Sequence, residues 1–423
     1  MNDKNKQLLK RLCILSRDIY NTALQNIKSH YKKTGKFLFW IDNAKLVKNL
    51  PEYKEIGSRY QAIILEADKD FLTYQTTIDY ESECGNRWQI FNPPKKLIPP
   101  RAKKYFFPLI CNDFEQRDGK IKLPLSRLLA KEYPPIYFTL PPDIKDANVV
   151  RFVIKPKYGF SAYEIFLTYE VQKQPQDLDN TKCLAIDFGV DNFATVCDSE
   201  GKSFIIDGRY LKSIIQGFQK QMAKIRNVKR KQSIKGYTKR EMRITDRYQR
   251  RIDDYLNKSA KYIADYCLRE KIGNIIVGCG YSFAKGPNLF YRIFFQIPYR
   301  KFLQKLDFKC QKFGIRLIKQ NECYTSKASF IDNDPIPEKI SRRKYVFSGK
   351  RLFRGLYVSR EGIKINADQN AALNIMRKAN EKYKLVSPEK IRALQRRGAI
   401  VPPTRINVLK HSCKKDKTLK LNQ

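Results

Sequence analysis

Apolar residues recur at helical spacing between residues 5 and 32, through Leu8, Leu9, Leu12, Cys13, Leu15, Ile19, Tyr20, Ala23, Leu24 and Ile27, with basic residues filling the gaps. That spacing predicts an amphipathic helix. A second helical pattern follows Tyr60 through Ala62, Ile63, Leu65, Phe71 and Leu72, so residues 1–75 read as a helical region. Pro93, Pro94, Pro99, Pro100 and Pro108, interleaved with Lys95, Lys96, Arg101, Lys103 and Lys104, then make a stiff basic connector. Strict alternation over 149–155 and 163–169, either side of a Gly-containing turn at 158–162, predicts a hairpin and a β-rich region over 76–177. The polar stretch 172–180 has little to bury and marks a domain boundary.

Beyond that boundary, 184–196 reads as a strand that turns into a second strand, and a tight turn at 198–202 leads to a third over 203–207. Two basic helical patterns follow, split by Gly236-Tyr237, and the second runs on to Cys267. The short apolar run Ile272-Gly-Asn-Ile-Ile-Val277 has the character of a buried parallel strand. A helix over 298–314, a strand over 315–319 and a helix opening near Asn366 complete an α/β region over 178–382. The fold class is therefore α+β multidomain, with helical and β-rich N-terminal regions and a C-terminal α/β region. The basic tail, 383–423, lacks strong periodicity from Ser387 onward and is expected to have no fixed structure by itself.

Charge sharpens this picture. Lysine and arginine number 84 against 42 acidic residues, a formal charge of +42 over 423 residues, which points to a polyanionic partner. No apolar run reaches the roughly 18 residues that a membrane span needs, and no signal peptide is visible. Ten cysteines lie far apart without a Cys-x-x-Cys pair, beside only two histidines. They read as reduced thiols of a cytosolic protein, without structural disulfides and without a zinc site. Residues 212–251 hold fourteen lysines and arginines against Glu241 and Asp246. A solvated face is one reading of such a run. The one-sided excess favours nucleic-acid contact through Lys229, Arg230, Lys231, Arg240, Arg247, Arg250 and Arg251.

Three acids occupy comparable places. Asp187 interrupts the first apolar strand of the α/β region, Glu322 follows a late strand, and Asp368 falls in the first turn of a helix that Asn366 can cap. Helix-dipole stabilisation alone would account for Asp368. Strand ends and helix starts of an open α/β sheet converge on one edge, however, where the three acids can meet. Phosphodiester hydrolysis by two Mg²⁺ or Mn²⁺ ions about 4 Å apart requires carboxylates to hold them, and three is about the minimum.

The runs Ala185-Ile-Asp-Phe-Gly-Val-Asp-Asn-Phe-Ala-Thr195, Asn274-Ile-Ile-Val-Gly278, Glu322-Cys-Tyr-Thr-Ser-Lys-Ala-Ser-Phe330 and Asn366-Ala-Asp-Gln-Asn-Ala-Ala-Leu-Asn-Ile375 resemble the TnpB proteins of insertion sequences, relatives of type V CRISPR effectors. The resemblance is strong over residues 183 to about 380 and looser in the N-terminal half. It implies an RNase H-like (RuvC) nuclease domain at 178–382, preceded by a helical recognition region and a wedge-like β region. It also implies an RNA-guided DNA endonuclease of the prokaryotic cytosol or nucleoid. Such an enzyme takes a guide RNA derived from the transposon end and double-stranded target DNA with a short adjacent motif, with Asp187, Glu322 and Asp368 as catalytic metal ligands.

Two departures qualify that reading. The family's second acid usually follows the strand written here as Ile275-Ile-Val277, where this chain has Gly278-Cys279; Glu322 is the expected replacement. The zinc ribbon common in the family is replaced over 323–365 by a stretch without cysteine after Cys323, expected to pack through Phe347, Leu352, Phe353, Leu356 and Tyr357. The family's opening strand is also absent here, or lies upstream of this start. Two other functions remain open: a nuclease-inactive RNA-guided DNA-binding repressor, and an unguided basic nucleic-acid-binding protein with a steep salt dependence.

Overall fold

A computed structural model describes residues 3–83, 107–279, 296–338, 343–396 and 402–411. Most of the proline-rich connector, through Lys104, and the lysines of the extreme tail lie outside these residues. The chain divides into two compact units, Met1–Val171 with Lys235–Tyr237, and Gln172–Ile234 with Thr238–Gln423.

The first unit opens with α1 (Asp3–Thr34), which buries the apolar stripe its spacing predicts. Helices α2 (Trp40–Val47), α3 (Pro51–Ile56) and α4 (Ala62–Glu83) pack around it. Strands β1 (Leu109–Cys111), β2 (Glu115–Arg117) and β3 (Lys120–Lys122), the short α5 (Leu129–Glu132), β4 (Tyr137–Thr139) and the hairpin β5 (Val149–Lys157) and β6 (Ala162–Tyr169) follow. They form two antiparallel sheets, β1–β5–β6 and β2–β3–β4. Helices and strands, expected as separate regions, share one core in which Leu12 and Ile19 meet Ile110, Ile121 and Phe152. Helix α1 touches β1, and Ser16 Oγ donates to the Pro108 carbonyl at 2.9 Å beside that strand.

The second unit is built on a six-stranded sheet. Its strands are β7 (Asp179–Phe188), β8 (Asn192–Asp198), β9 (Ser203–Asp207), β10 (Ile272–Cys279), β11 (Arg316–Asn321) and β15 (Thr404–Ile406), in the order β11–β10–β7–β8–β9–β15. The antiparallel meander β7–β8–β9 has the form the sequence predicts, and β10 is parallel to both β7 and β11. Helices α6 (Arg209–Lys231), α7 (Lys239–Arg269) and α8 (Tyr299–Phe313) cover one face, where Leu184, Ile186, Ile275 and Val277 meet Leu211, Leu256 and Phe302. The start of α7 is fixed by a capping box between Thr238 and Glu241. The small sheet β12 (Lys350–Phe353), β13 (Leu356–Val358) and β14 (Lys364–Asn366) leads into α9 (Ala367–Tyr383), which covers the other face. There Ala185, Ile276 and Ile318 pack under Ala372, Ile375 and Met376.

Two expectations need correction. The segment after Ser387 is not structureless over 388–396 and 404–411, where it holds α10 (Pro388–Arg396), β15 and α11 (Val408–His411). An exposed sheet edge recruits backbone irrespective of side-chain period, and β15 pairs in parallel with β9, which lets Ile406 and Val408 be buried. In the segment 323–365, Tyr357 is buried and donates its hydroxyl to the Lys327 carbonyl at 2.8 Å. Leu352 and Phe353, expected to pack, are 46% and 72% exposed. Strands of three or four residues offer too little surface for a core on both sides. Among the described residues no helix is long and apolar enough to cross a membrane.

The β8–β9 turn hangs on Asp198, which is 1% exposed. Its Oδ1 accepts from the backbone N–H groups of Glu200 and Lys202, each at 2.9 Å, and its Oδ2 accepts from the Tyr266 hydroxyl at 2.6 Å. Replacing it leaves three donors without an acceptor. Asp198→Ala is expected to destabilise the second unit by about 2–3 kcal/mol, seen as a fall of about 4–10 °C in its melting transition by circular dichroism.

Candidate functional site

Strand registers decide which side chains can meet. Val277 of β10 stands beside Ile186 of β7 and Lys319 of β11, and Gly278 stands beside Gln320. Side chains alternate along a strand, so Asp187, Gly278, Gln320 and Glu322 all face α9. Glu322 is the first residue beyond β11. Asp368 enters the same space from the first turn of α9, whose N-terminus is capped by Asn366: its Oδ1 accepts from the N–H groups of Asp368 and Gln369 at 3.0 and 3.1 Å. The turn after Asp187 is pinned from the opposite face, where the Tyr299 hydroxyl donates to the Gly189 carbonyl at 2.7 Å and its ring stacks on Phe193.

Charge shows the acids acting on one another. Burial, then the negative charges of Asp368 and Glu322, push the Asp187 carboxyl well above the ordinary carboxylate range, with Arg351 opposing them. Burial also raises Glu322. Asp368 is held by two donors: Asn192 Nδ2 at 2.7 Å on Oδ2 and an Arg351 guanidinium nitrogen at 3.1 Å on Oδ1. Asn192 is itself oriented by Arg405 of β15, which donates to its Oδ1 at 2.7 Å. Asp191 lies between Lys212 at 2.8 Å and Arg354 at 3.2 Å. The sequence carries no signal for Arg351, Arg354 or Arg405, because the β12–β13 turn and the added strand β15 bring them in. From sequence, Asp191 and Asn192 read as turn residues or as groups supporting Asp187; in the structure Asn192 serves Asp368.

Among the described residues no three His, Cys, Asp or Glu side chains form a ready-made metal cluster, and the Asp368 carboxylate is turned to Arg351 and Asn192. The donor set nonetheless fits a hard divalent cation such as Mg²⁺ or Mn²⁺. The three acids are all oxygen donors, and a cation beside Asp187 would relieve its repulsion. Thr195, the cross-strand partner of Asp187 on the same face, has a buried Oγ1 without a hydrogen-bond partner.

The seven basic residues singled out on α6 and α7 are not equivalent. Lys229 is half-buried and pairs with the capping Glu241 at 2.7 Å, so it braces the turn between the helices. Arg251 is held by the Tyr210 hydroxyl at 3.1 Å and lies over that ring. Arg230, Lys231, Arg240, Arg247 and Arg250 are exposed.

Residues 166–281 match the family model OrfB_IS605, described as "Probable transposase", and residues 299–375 match one described as "Cas12f1-like, TNB domain". A curated relative, the TnpB-like protein ORF457 of Acidianus two-tailed virus, is 24% identical over 207 residues. That match spans 47% of this chain and 42% of the viral protein, less than half the length of either. Among solved structures, a cryo-EM structure of a Cas12f1–sgRNA–target DNA complex is similar with a TM-score of 0.56 at 16% identity, over 88% of this chain and 83% of that one. At that identity the likeness shows the fold alone, here an α+β architecture with a mixed six-stranded sheet.

Mutual repulsion at the acids costs stability when no cation is bound. Asp187→Asn is expected to raise the metal-free melting temperature of the second unit by about 2–4 °C, the shift that about 1 kcal/mol makes in a domain of this size. Mn²⁺ is expected to raise the melting temperature of the unaltered protein but not that of the variant. A lower metal-free melting temperature would count against repulsion at Asp187.

Proposed function

This chain belongs to the TnpB family of insertion-sequence proteins, and we propose on that premise that it is an RNA-guided DNA endonuclease that cleaves by metal-dependent phosphodiester hydrolysis. The observation that supports this most is the convergence of Asp187, Glu322 and Asp368 on one face at the C-terminal ends of β7 and β11 and the start of α9. In the proposal these three carboxylates hold the ions. Bound there, Mg²⁺ or Mn²⁺ supplies Lewis-acid activation of water and neutralises charge developing on the phosphate. Asn192 keeps the Asp368 carboxylate aimed, and Arg351 sets a positive charge beside it. The exposed cations Arg230, Lys231, Arg240, Arg247 and Arg250 bind backbone phosphates, which positions nucleic acid without reading sequence. A guide RNA from the transposon end then reads the target by pairing, and the protein reads only a short adjacent motif.

One observation favours a second reading, a guided DNA-binding repressor without nuclease activity: Arg351 pairs with the Asp368 carboxylate, and among the described residues the three acids form no ready-made metal cluster. A single experiment separates the readings. The particle is purified from cells that carry the gene with its own flanking DNA, and its RNA is sequenced; one discrete species with an element-derived end is expected. Cleavage of matched DNA by the Glu322→Gln particle should then fall by more than the roughly 100-fold that removing a supporting hydrogen bond costs a metal site, with target binding kept. Target binding without cleavage by the unaltered particle would establish the repressor, and heterogeneous RNA would establish unguided binding.

The basic face has its own test. Replacing Arg247 and Arg250 with Ala should lower the slope of log affinity against log salt by about 1.5, since each phosphate that a cation neutralises adds roughly 0.7–0.9 to that slope. An unchanged slope in a filter-binding titration would return both residues to the solvated face.

A further inference from the structure

Gly278 sits one residue from the end of β10, a strand buried along nearly its whole length. Glycine weakens a strand interior, and where it occurs there it often marks a close approach. No left-handed backbone calls for it, since Gly278 is not among the positive-φ glycines. What it admits is side-chain density from two neighbours. A Cβ at 278 would lie 2.6 Å from Ile375 Cδ1 and 3.0 Å from Glu322 Oε2, with the Ile186 carbonyl oxygen at 3.4 Å.

We propose that Gly278 is a positioning residue for Glu322: the side chain missing from β10 opens the space in which the glutamate carboxylate lies beside Asp187. The geometry follows from the register. Gly278 pairs with Gln320, and Glu322 lies two residues further on, on the same face. From the end of β11 its side chain leans across β10 towards β7, and Gly278 is what it crosses. Any side chain at 278 competes with the carboxylate for that volume, so a glycine at 278 and a working glutamate at 322 are a matched pair. The Ile186 carbonyl oxygen lies 3.4 Å from that same Cβ position, so the vacated space is bordered by β7 as well as by the Glu322 carboxylate.

Gly278 also makes room for Ile375 of α9, and the test must separate that packing role from the positioning role. Ile375→Val removes the Cδ1 atom that a methyl group at 278 would meet, leaving the Glu322 carboxylate as the obstacle. This inference rests on the reading of Glu322 as a metal ligand, so the full-length protein is titrated with Mn²⁺ alone and followed by electron paramagnetic resonance. Ile375→Val is expected to bind Mn²⁺ within about twofold of the unaltered protein, and Gly278→Ala in that background about tenfold more weakly, the loss typical of a displaced ligand support. The metal-free melting temperature of the double variant should match that of Ile375→Val. Equal Mn²⁺ affinity of the single and double variants, with Glu322→Gln impaired, would overturn the positioning role and leave the ligand reading standing. If Glu322→Gln binds Mn²⁺ as tightly as the unaltered protein, the ligand reading fails and the positioning role with it.

Discussion

Asp187 and Glu322 stand on one face of the sheet only because β10 pairs in fixed register with β7 on one side and β11 on the other. A slip of one residue at either pairing would send one acid to the opposite face, among the apolar side chains under α7 and α8. The register is enforced by burial on both sides of β10: Ile275 and Val277 fill one core, and Ile276 fills the other. Every property of the acid centre, from the raised Asp187 carboxyl to the approach of Asp368 on α9, presupposes this pairing.

The charge pattern of the molecule works at two ranges. Over the whole chain the excess is positive, a formal +42, a field that attracts anions and is screened by salt. At the centre the sign reverses. Three carboxylates approach one face of the sheet there, and Arg351, Arg354 and Arg405 reach Asp368, Asp191 and Asn192 from elements outside the β7–β10–β11 core. Repulsion of this kind costs stability, and the buried apolar layers on either side of the sheet offset it.

Elements with a strong period were legible in the sequence. The stripe of α1, the hairpin β5–β6, the meander β7–β8–β9 and the helix capped by Asn366 all follow from local spacing and turn chemistry. That Asp187 lies in a strand, Glu322 just past one and Asp368 in the first turn of a helix was also legible, because it depends on local strand and helix patterns. What stayed hidden depends on pairing between distant segments. Nothing local in Thr404–Ile406 says that it will join β9, and nothing local in Phe353 says that it will stay exposed on a short hairpin. Arg405, which reaches Asn192 across 213 positions of sequence, was unreadable for the same reason. Gly278 could be seen as a gap in the usual acid pattern, but only the three-dimensional register shows that Glu322 fills the space above it.

The strand β15 has a bearing on how the protein is made. It pairs with β9 nearly 200 residues after β9 has been synthesised, and through Arg405 it orients Asn192, which in turn holds Asp368. The antiparallel meander can form as soon as it leaves the ribosome, whereas this support must wait for the edge strand to emerge and close a very long loop. A nascent chain therefore passes through a state with a formed meander and a loosely aimed Asp368, so the centre is completed late in synthesis, after the basic helices α6 and α7 have been translated.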